Sequence, residues 1–441
     1  MSIKMDYSEE LHEDIICVDV KSFYASVECA ERGLNPLKTM LVVMSNGENA
    51  GGLVLSASSA AKKNLGISNV SRKYDLPNHP DLLIVPPRMS LYLEKNKEIL
   101  SIFRKYATEE DILIYSIDEA FIKVTNVKKL FKADAYQIAR MIQQDIFHHL
   151  NLYTTAGIGD NMLLAKLALD NEAKYTSDMK AEWRYNDVQS KIWTIHPITN
   201  FWGIGNRTAL RLHRLGINTI KELALANPVQ LKNQFGVIGE QLYAHSWGID
   251  RSDITEKHLT LEKSYSNSQI LTKDYIVRAE IELVIKEMAD QVARRIRQHH
   301  CQTTCIHLTI GYSSNSNEVG FSRQMKISAT NSTKLLAHYC LLLFNKYYSG
   351  AATRQISITY SKFIYTTDIQ LDLFQEPDSQ IGQLNLELLV DHVRDKYGFA
   401  SLVHASSLTN GATAIKRSHL LGGHASGLMN KKGANSNDQS F

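Results

Sequence analysis

Short apolar runs separated by longer amphipathic stretches set the pattern of the first 180 residues. Ile15-Ile16-Cys17-Val18 reads as a buried strand ending in Asp19, and the chain from Val20 to Glu28 turns into a helix. Leu41-Val42-Val43-Met44 and Leu53-Val54-Leu55 predict two strands around a turn at Asn46 to Gly52. A helix rich in Ser and Ala opens at Ser56 and ends near Gly66. Leu83-Ile84-Val85 predicts a further strand, followed by a helix from Ser90 to Tyr106. Ile112-Leu113-Ile114 and the alternating Phe121-Ile122-Lys123-Val124-Thr125 predict two more strands. A helix from Ala133 to Leu150, a strand from Thr154 to Gly159 and a helix from Asn161 to Leu169 complete this part. Strands and helices interleaved in this way predict a mixed sheet with helices on one face.

The stretch between two of those strands carries the chemistry. Asp118 and Glu119 stand where Ile112-Leu113-Ile114 meets Phe121 onward. In a regular strand they would point to opposite faces, so one site can use both only if the chain turns there. Two acids beside apolar strands need a cation. A plain solvated turn would favour Gly, Asn or Pro, and none is present. Asp19 ends a strand in the same way. Three carboxylates from two adjacent strands can hold two Mg²⁺ ions, hard cations that prefer oxygen ligands and substrate phosphates.

Beyond residue 180 the pattern changes twice. Residues 181–250 read as a small helical domain, in which Gly203-Ile204-Gly205-Asn206-Arg207 precedes a helix carrying Arg211 and Arg214. Glycines before a helix let the backbone approach a phosphate, and the helix start offers free N–H groups to it. A polar linker at 251–262 leads to strands and long helices between Ser264 and Phe363. There Phe321-Ser322-Arg323-Gln324-Met325-Lys326 alternates cations with apolar residues, as a strand beside duplex phosphates would. Gln370-Leu371-Asp372-Leu373-Phe374, bounded by polar residues and Pro377, has the form of a docking peptide. An amphipathic helix is predicted over 382–398, and the Gly-, Asn-, Ser- and Lys-rich remainder reads as flexible.

Composition narrows the class without naming it. A length of 441 residues, 44% hydrophobic and 22% charged, suits a globular protein of about two to four domains. A formal net charge of +3 places any nucleic-acid surface in local clusters. The five cysteines make no disulfide framework, which fits a reducing cytoplasm, and Cys301 and Cys305 lack a second ligand pair for a metal. Glu9, Glu10, Glu13 and Asp14 stand where a signal peptide would be cationic, and no apolar run is long enough to span a membrane.

Asp19-Val20-Lys21-Ser22-Phe23-Tyr24-Ala25-Ser26-Val27-Glu28 and Ser116-Ile117-Asp118-Glu119-Ala120-Phe121 resemble the two signature motifs of Y-family DNA polymerases. The likeness is closest to the UmuC-like bacterial branch and covers residues 15–375. It implies an α+β multidomain right-hand polymerase. Its ferredoxin-like palm would span residues 1–30 and 83–180, its small fingers 31–82 and its helix-hairpin-helix thumb 181–250. The linker 251–262 would lead to an α/β little finger at 263–366 and a C-terminal tail at 367–441.

The resemblance implies that Asp19, Asp118 and Glu119 are catalytic and, with the Val20 carbonyl, hold two Mg²⁺ ions. Tyr24 matches the aromatic that packs under the incoming sugar, and Phe23, Ser58, Lys63 and Lys174 match the nucleotide site. Two positions depart from the pattern: Ala60 stands where some relatives carry tyrosine, and Tyr175 where the family often has proline. Gly203, Gly205 and Arg207 in the thumb, and Arg323 and Lys326 in the little finger, would lie on DNA. Gln370, Leu371, Leu373 and Phe374 match the bacterial sliding-clamp consensus. The implied activity is low-fidelity, template-directed synthesis past damaged DNA without proofreading, in the SOS response, in the cytoplasm at the nucleoid. The implied partners are primer–template DNA, deoxynucleoside triphosphates and the clamp, with no membrane; a recombinase filament or accessory subunit stays open. A nucleotide cyclase with a similar palm and a non-catalytic clamp-docked scaffold are the rival readings.

Overall fold

The structure, a computed structural model, describes residues 5–45, 51–256, 262–366 and 376–427. One compact unit lies within residues 1–257 together with 426–441, and a second within residues 258–425.

The strands of the first unit are β1 (Ile15–Val20), β2 (Leu41–Ser45), β3 (Leu53–Ala57), β4 (Leu83–Val85), β5 (Ile112–Ile114), β6 (Glu119–Lys123), β7 (Thr154–Gly159) and β8 (Lys180–Trp183). Its helices are α1 (Phe23–Ala30), α2 (Ser59–Leu65), α3 (Met89–Phe103), α4 (Lys128–Phe131), α5 (Ala135–Leu150), α6 (Met162–Ala168) and α7 (Val188–Lys191). Helices α8 (Asn206–Arg214), α9 (Ile220–Ala224), α10 (Pro228–Phe235) and α11 (Val237–Ser246) follow. The main sheet runs β5-β6-β1-β7-β8, with β1 antiparallel to both β6 and β7; β3-β2-β4 form a small second sheet.

Alternation along β1 divides two cores. Ile16, Val18 and Val20 face the layer of α3 and α5, where Ile138, Ile142 and Ile146 are fully buried. Ile15 and Cys17 face α6, with Phe121, Ala165 and Leu169. Helices thus cover both faces of the sheet, where the interleaved pattern had predicted one. The physical reason is a pair of glycines in β7. A Cβ on Gly157 would stand 2.1 Å from the Ala165 carbonyl oxygen, and one on Gly159 2.4 Å from the Ala165 nitrogen. Only bare backbone lets α6 lie this close. After α6 the chain widens into a π-helical turn, Leu169–Ala173.

The second unit has strands β9 (Ser264–Tyr275), β10 (Cys301–Tyr312), β11 (Phe321–Thr330) and β12 (Thr353–Tyr365), and helices α12 (Arg278–Gln298), α13 (Thr333–Tyr347) and α14 (Pro377–Tyr397). The sheet runs β11-β10-β12-β9, antiparallel throughout. Val284, Met288, Val292, Leu336 and Phe344 of α12 and α13 meet Ile306, Leu308, Ile356 and Ile358 of the sheet. The predicted helix over 382–398 is present and longer, but its inward face is charged. Glu387, Asp391 and Arg394 are buried while Leu386, Leu388 and Leu389 are exposed. Burial is made possible by pairing: Arg297 holds Asp391 through two hydrogen bonds of 2.7 and 3.1 Å, and Arg394 reaches Asp290 at 2.7 Å.

Candidate active site

The acids meet because of strand register. Asp19, near the end of β1, is paired with Glu119, the first residue of β6. Residues directly opposite on antiparallel neighbours share a face, so both side chains stand on the α6 side. Asp118 precedes the strand in a turn, and its carbonyl accepts the Val20 N–H at 2.9 Å. The turn foreseen for 118 and 119 therefore exists, and it brings the third acid to the same strand end. Ser22, in the left-handed region at φ 52°, then redirects the chain into α1.

Burial pushes the Asp19 carboxyl up to about 6; Asp118 and Glu119 push the same way, and Lys174 and Lys166 oppose them. Glu119 accepts from Lys166 Nζ at 2.7 Å and from Cys17 Sγ at 3.1 Å. Asp118 accepts from the Ser116 hydroxyl at 2.7 Å. Three mutually repelling carboxylates at one strand end are a donor set suited to hard divalent cations. As the side chains stand, no group of three acidic, histidine or cysteine residues closes on one point among the described residues. Glu119 is turned to Lys166 and Asp118 to Ser116.

A cleft of about 570 Å³ opens beside Asp19 and Asp118, bordered by Phe23, Tyr24, Lys62 and Lys174. The Tyr24 ring stacks on Tyr92, centroids 4.4 Å apart and 15° from parallel, so it forms a fixed wall. Beneath it Glu28, fully buried, accepts from Arg88 at 2.9 and 2.7 Å and from the Tyr92 hydroxyl at 2.8 Å, tying α1 to α3. Lys174 Nζ lies 3.5 Å from Asp19 and 2.7 Å from Asp170.

Two residues assigned to the nucleotide site stand elsewhere. The Ser58 hydroxyl is buried, caps α2 by accepting the Ala61 N–H, and donates to the Thr39 carbonyl. Its neighbour Ser59 borders the cleft in its place. Lys63 is exposed and does not border the cleft, whereas Lys62 does, with Nζ 3.3 Å from the Ser22 hydroxyl. Ser59 and Lys62 are three apart on a helix and share a side, which is the sequence signal that could have found them. Lys166 and Asp170 were also missed. Their spacing of four hints at a pair, but only the glycines of β7 bring Lys166 to Glu119.

In α8, Gly205 is the residue before the first turn, Arg207 lies in that turn, and Gly203 takes φ 94°, which favours glycine. Arg211 lies over Phe235 and donates to the Gln234 carbonyl. Arg323 and Lys326 fall on opposite faces of β11, three residues apart. Arg323 lies over the Tyr347 ring on the helical side, 5.2 Å from its centroid. Lys326 takes the face away from the helices. Gln370, Leu371, Leu373 and Phe374 lie outside the described residues.

A palm sheet covered by helices on both faces, with acids at adjacent strand ends, a small second sheet and a run of four short helices, defines the class as a right-hand polymerase. Residues 18–170 match the impB/mucB/samB family, residues 262–373 its C-terminal domain, and residues 199–250 the thumb domain of DNA polymerase iota. A Bacillus subtilis protein named for UV-damage repair, UvrX, is 41% identical over 96% of this chain and all of its own. DNA polymerase IV 2 of the same species is 32% identical over 93% of this chain and 98% of its own. A solved Y-family DNA polymerase chimera shares the fold, with a TM-score of 0.64 at 21% identity, covering 80% of this chain and 100% of its own. The chain belongs to the impB/mucB/samB family of Y-family, DNA-directed DNA polymerases. Among the described residues no helix is long and apolar enough to cross a membrane.

Proposed function

We propose that this polymerase copies primed DNA past damaged bases by two-metal nucleotidyl transfer, at low fidelity and without proofreading. The observation that carries the reading is the register pair Asp19–Glu119, with Asp19 and the neighbouring Asp118 bordering a cleft that Lys62 and Lys174 also border. Asp19, Asp118, Glu119 and the Val20 carbonyl would hold two Mg²⁺ ions, whose chemistry is to acidify the primer 3′-hydroxyl and neutralise charge on the triphosphate. Lys174 and Lys62 supply cations for the phosphates on the two sides of the cleft. Phe23 and Tyr24 form the floor under the sugar. The loop of Gly203 and Gly205, Arg207, and Lys326 contact DNA backbone, which positions the duplex without reading sequence. Synthesis takes place in the cytoplasm at the nucleoid, on primer–template DNA.

The test is extension of a primer whose last base is mispaired, with Mg²⁺ and with chelator. The expected result is elongation of the mispair in Mg²⁺, none with chelator, and no shortening of the primer in either. Trimming of the mispaired base by the purified chain would remove the claim that it lacks proofreading.

Tyr24 gives a second expectation. Its stacked ring leaves no slack for a 2′-hydroxyl, so Tyr24→Ala incorporates ribonucleotides more readily and still uses deoxyribonucleotides. Single-nucleotide insertion with each sugar measures this. An unchanged ribose preference would reduce Tyr24 to a packing residue.

The peptide Gln370 to Phe374 is proposed to tether the enzyme to the bacterial sliding clamp, raising its effective concentration at primer ends. Leu373→Ala with Phe374→Ala is expected to leave unaided insertion intact and to abolish stimulation by clamp and loader at moderate salt. Stimulation equal to the parent's would withdraw the clamp assignment.

A further inference from the structure

Asp19 and Glu119 are joined twice. They are register partners across β1 and β6, and a chain of side-chain charges also links them. Glu119 Oε1 lies 2.7 Å from Lys166 Nζ; Lys166 Nζ lies 3.1 Å from Asp170 Oδ2; Asp170 Oδ1 lies 2.7 Å from Lys174 Nζ; and Lys174 Nζ lies 3.5 Å from Asp19 Oδ2. The result is a chain of alternating charge from Glu119 to Asp19, closed by the strand pairing of those two acids, with Asp170 at its middle.

The fold builds this ring on purpose-shaped backbone. Asp170 is four residues from each lysine, and it sits in the π-helical turn Leu169–Ala173, a geometry often found at functional sites. The side chain of Lys166 is only 9% exposed, so its charge depends on protein partners rather than on water. Its contact with Glu119 occupies an oxygen that a divalent ion would need. Glu119 and Asp19 are thus neutralised by lysines when no ion is there, and entry of an ion must move those lysines aside. A lysine released with no other anion nearby would resist that exchange. Asp170 is the anion that receives it.

We propose that Asp170 is a positioning residue that holds Lys166 and Lys174 as exchangeable counter-ions of Glu119 and Asp19, and so sets how readily divalent ions displace them. The inference rests on the metal-site reading of Asp19, Asp118 and Glu119 given above.

Two variants move metal affinity in opposite directions. Lys166→Met removes a competitor and a nearby positive charge. Mn²⁺ should then bind about tenfold more tightly, given unit charges a few ångströms apart in a partly desolvated site. Asp170→Asn leaves both lysines to the two site acids and removes a nearby anion, so Mn²⁺ should bind about tenfold more weakly. Both variants should melt at lower temperature without metal, and Mn²⁺ should restore more of the loss in Lys166→Met.

The experiment is Mn²⁺ titration of the full chain without DNA or nucleotide, read by electron paramagnetic resonance, with melting curves on the same samples. Opposite shifts in affinity support the proposal. Two unchanged affinities, or two shifts of the same sign, overturn it and leave the ring a support of the fold. Asp118→Ala separates the levels. If the parent's Mn²⁺ binding is indifferent to Asp118→Ala, the metal site itself falls, and the inference with it. If binding depends on Asp118 but not on Lys166 or Asp170, the inference alone falls.

Discussion

Asp118→Ala should lose nucleotide incorporation by several orders of magnitude while keeping the parent's fold and its binding to primed DNA. The side chain has little structural duty: it is half-buried in a turn and, among the described residues, its one side-chain hydrogen bond comes from the neighbouring Ser116 hydroxyl. The contact that fixes the turn, Val20 N–H to the residue 118 carbonyl, is made by backbone and survives the change. In the proposed mechanism, what is lost is one of three carboxylates for charge that develops at the phosphates, an interaction that would count most in the transition state. Glu119→Ala would be a poorer experiment. It would strip the buried Lys166 of its 2.7 Å partner and unsettle the fold as well as the chemistry. Single-turnover insertion with matched circular dichroism and DNA-binding measurements separates these cases. Insertion near the parent's rate in Asp118→Ala would remove the acid from the mechanism.

The largest effect on stability should come from Arg297→Ala. Its side chain is 4% exposed, grips Asp391 with two bonds, lies 3.4 Å from Glu387, and donates to the Asn331 carbonyl and the Thr333 hydroxyl at 2.9 Å. Truncation leaves two carboxylates of α14 buried without their cation, a change that costs about 3–5 kcal/mol where measured in other proteins. The second unit should therefore unfold at clearly lower denaturant, with a separate early transition. Arg297→Lys should recover only part, since an ammonium cannot match the two-pronged contact. A denaturation midpoint equal to the parent's would mean that α14 is not held by this pair.

The sequence carried the strands best, because their apolar runs are local and their turns follow directly. It also carried the need for a turn at Asp118 and Glu119, since alternation forbids two neighbours on one face. It could not carry the second helical layer, which depends on Gly157 and Gly159 meeting Ala165 across the sheet. Lys62 and Lys63 were indistinguishable as charges; only the phase of α2 around its buried face decides between them. Arg323 and Lys326 looked alike as cations until strand pairing set them on opposite faces. Helix α14 misleads pattern reading outright, because its buried side is chosen by partners on α12 and not by hydropathy.

The most direct measurement is primer extension by the purified chain with one deoxynucleoside triphosphate at a time, opposite each template base and opposite an abasic site. The account predicts that each intact base directs mainly its own partner, with frequent errors, and that extension continues past the abasic site in Mg²⁺. Addition that ignores the template base, or a complete halt before the abasic site alongside faithful copying elsewhere, would contradict it.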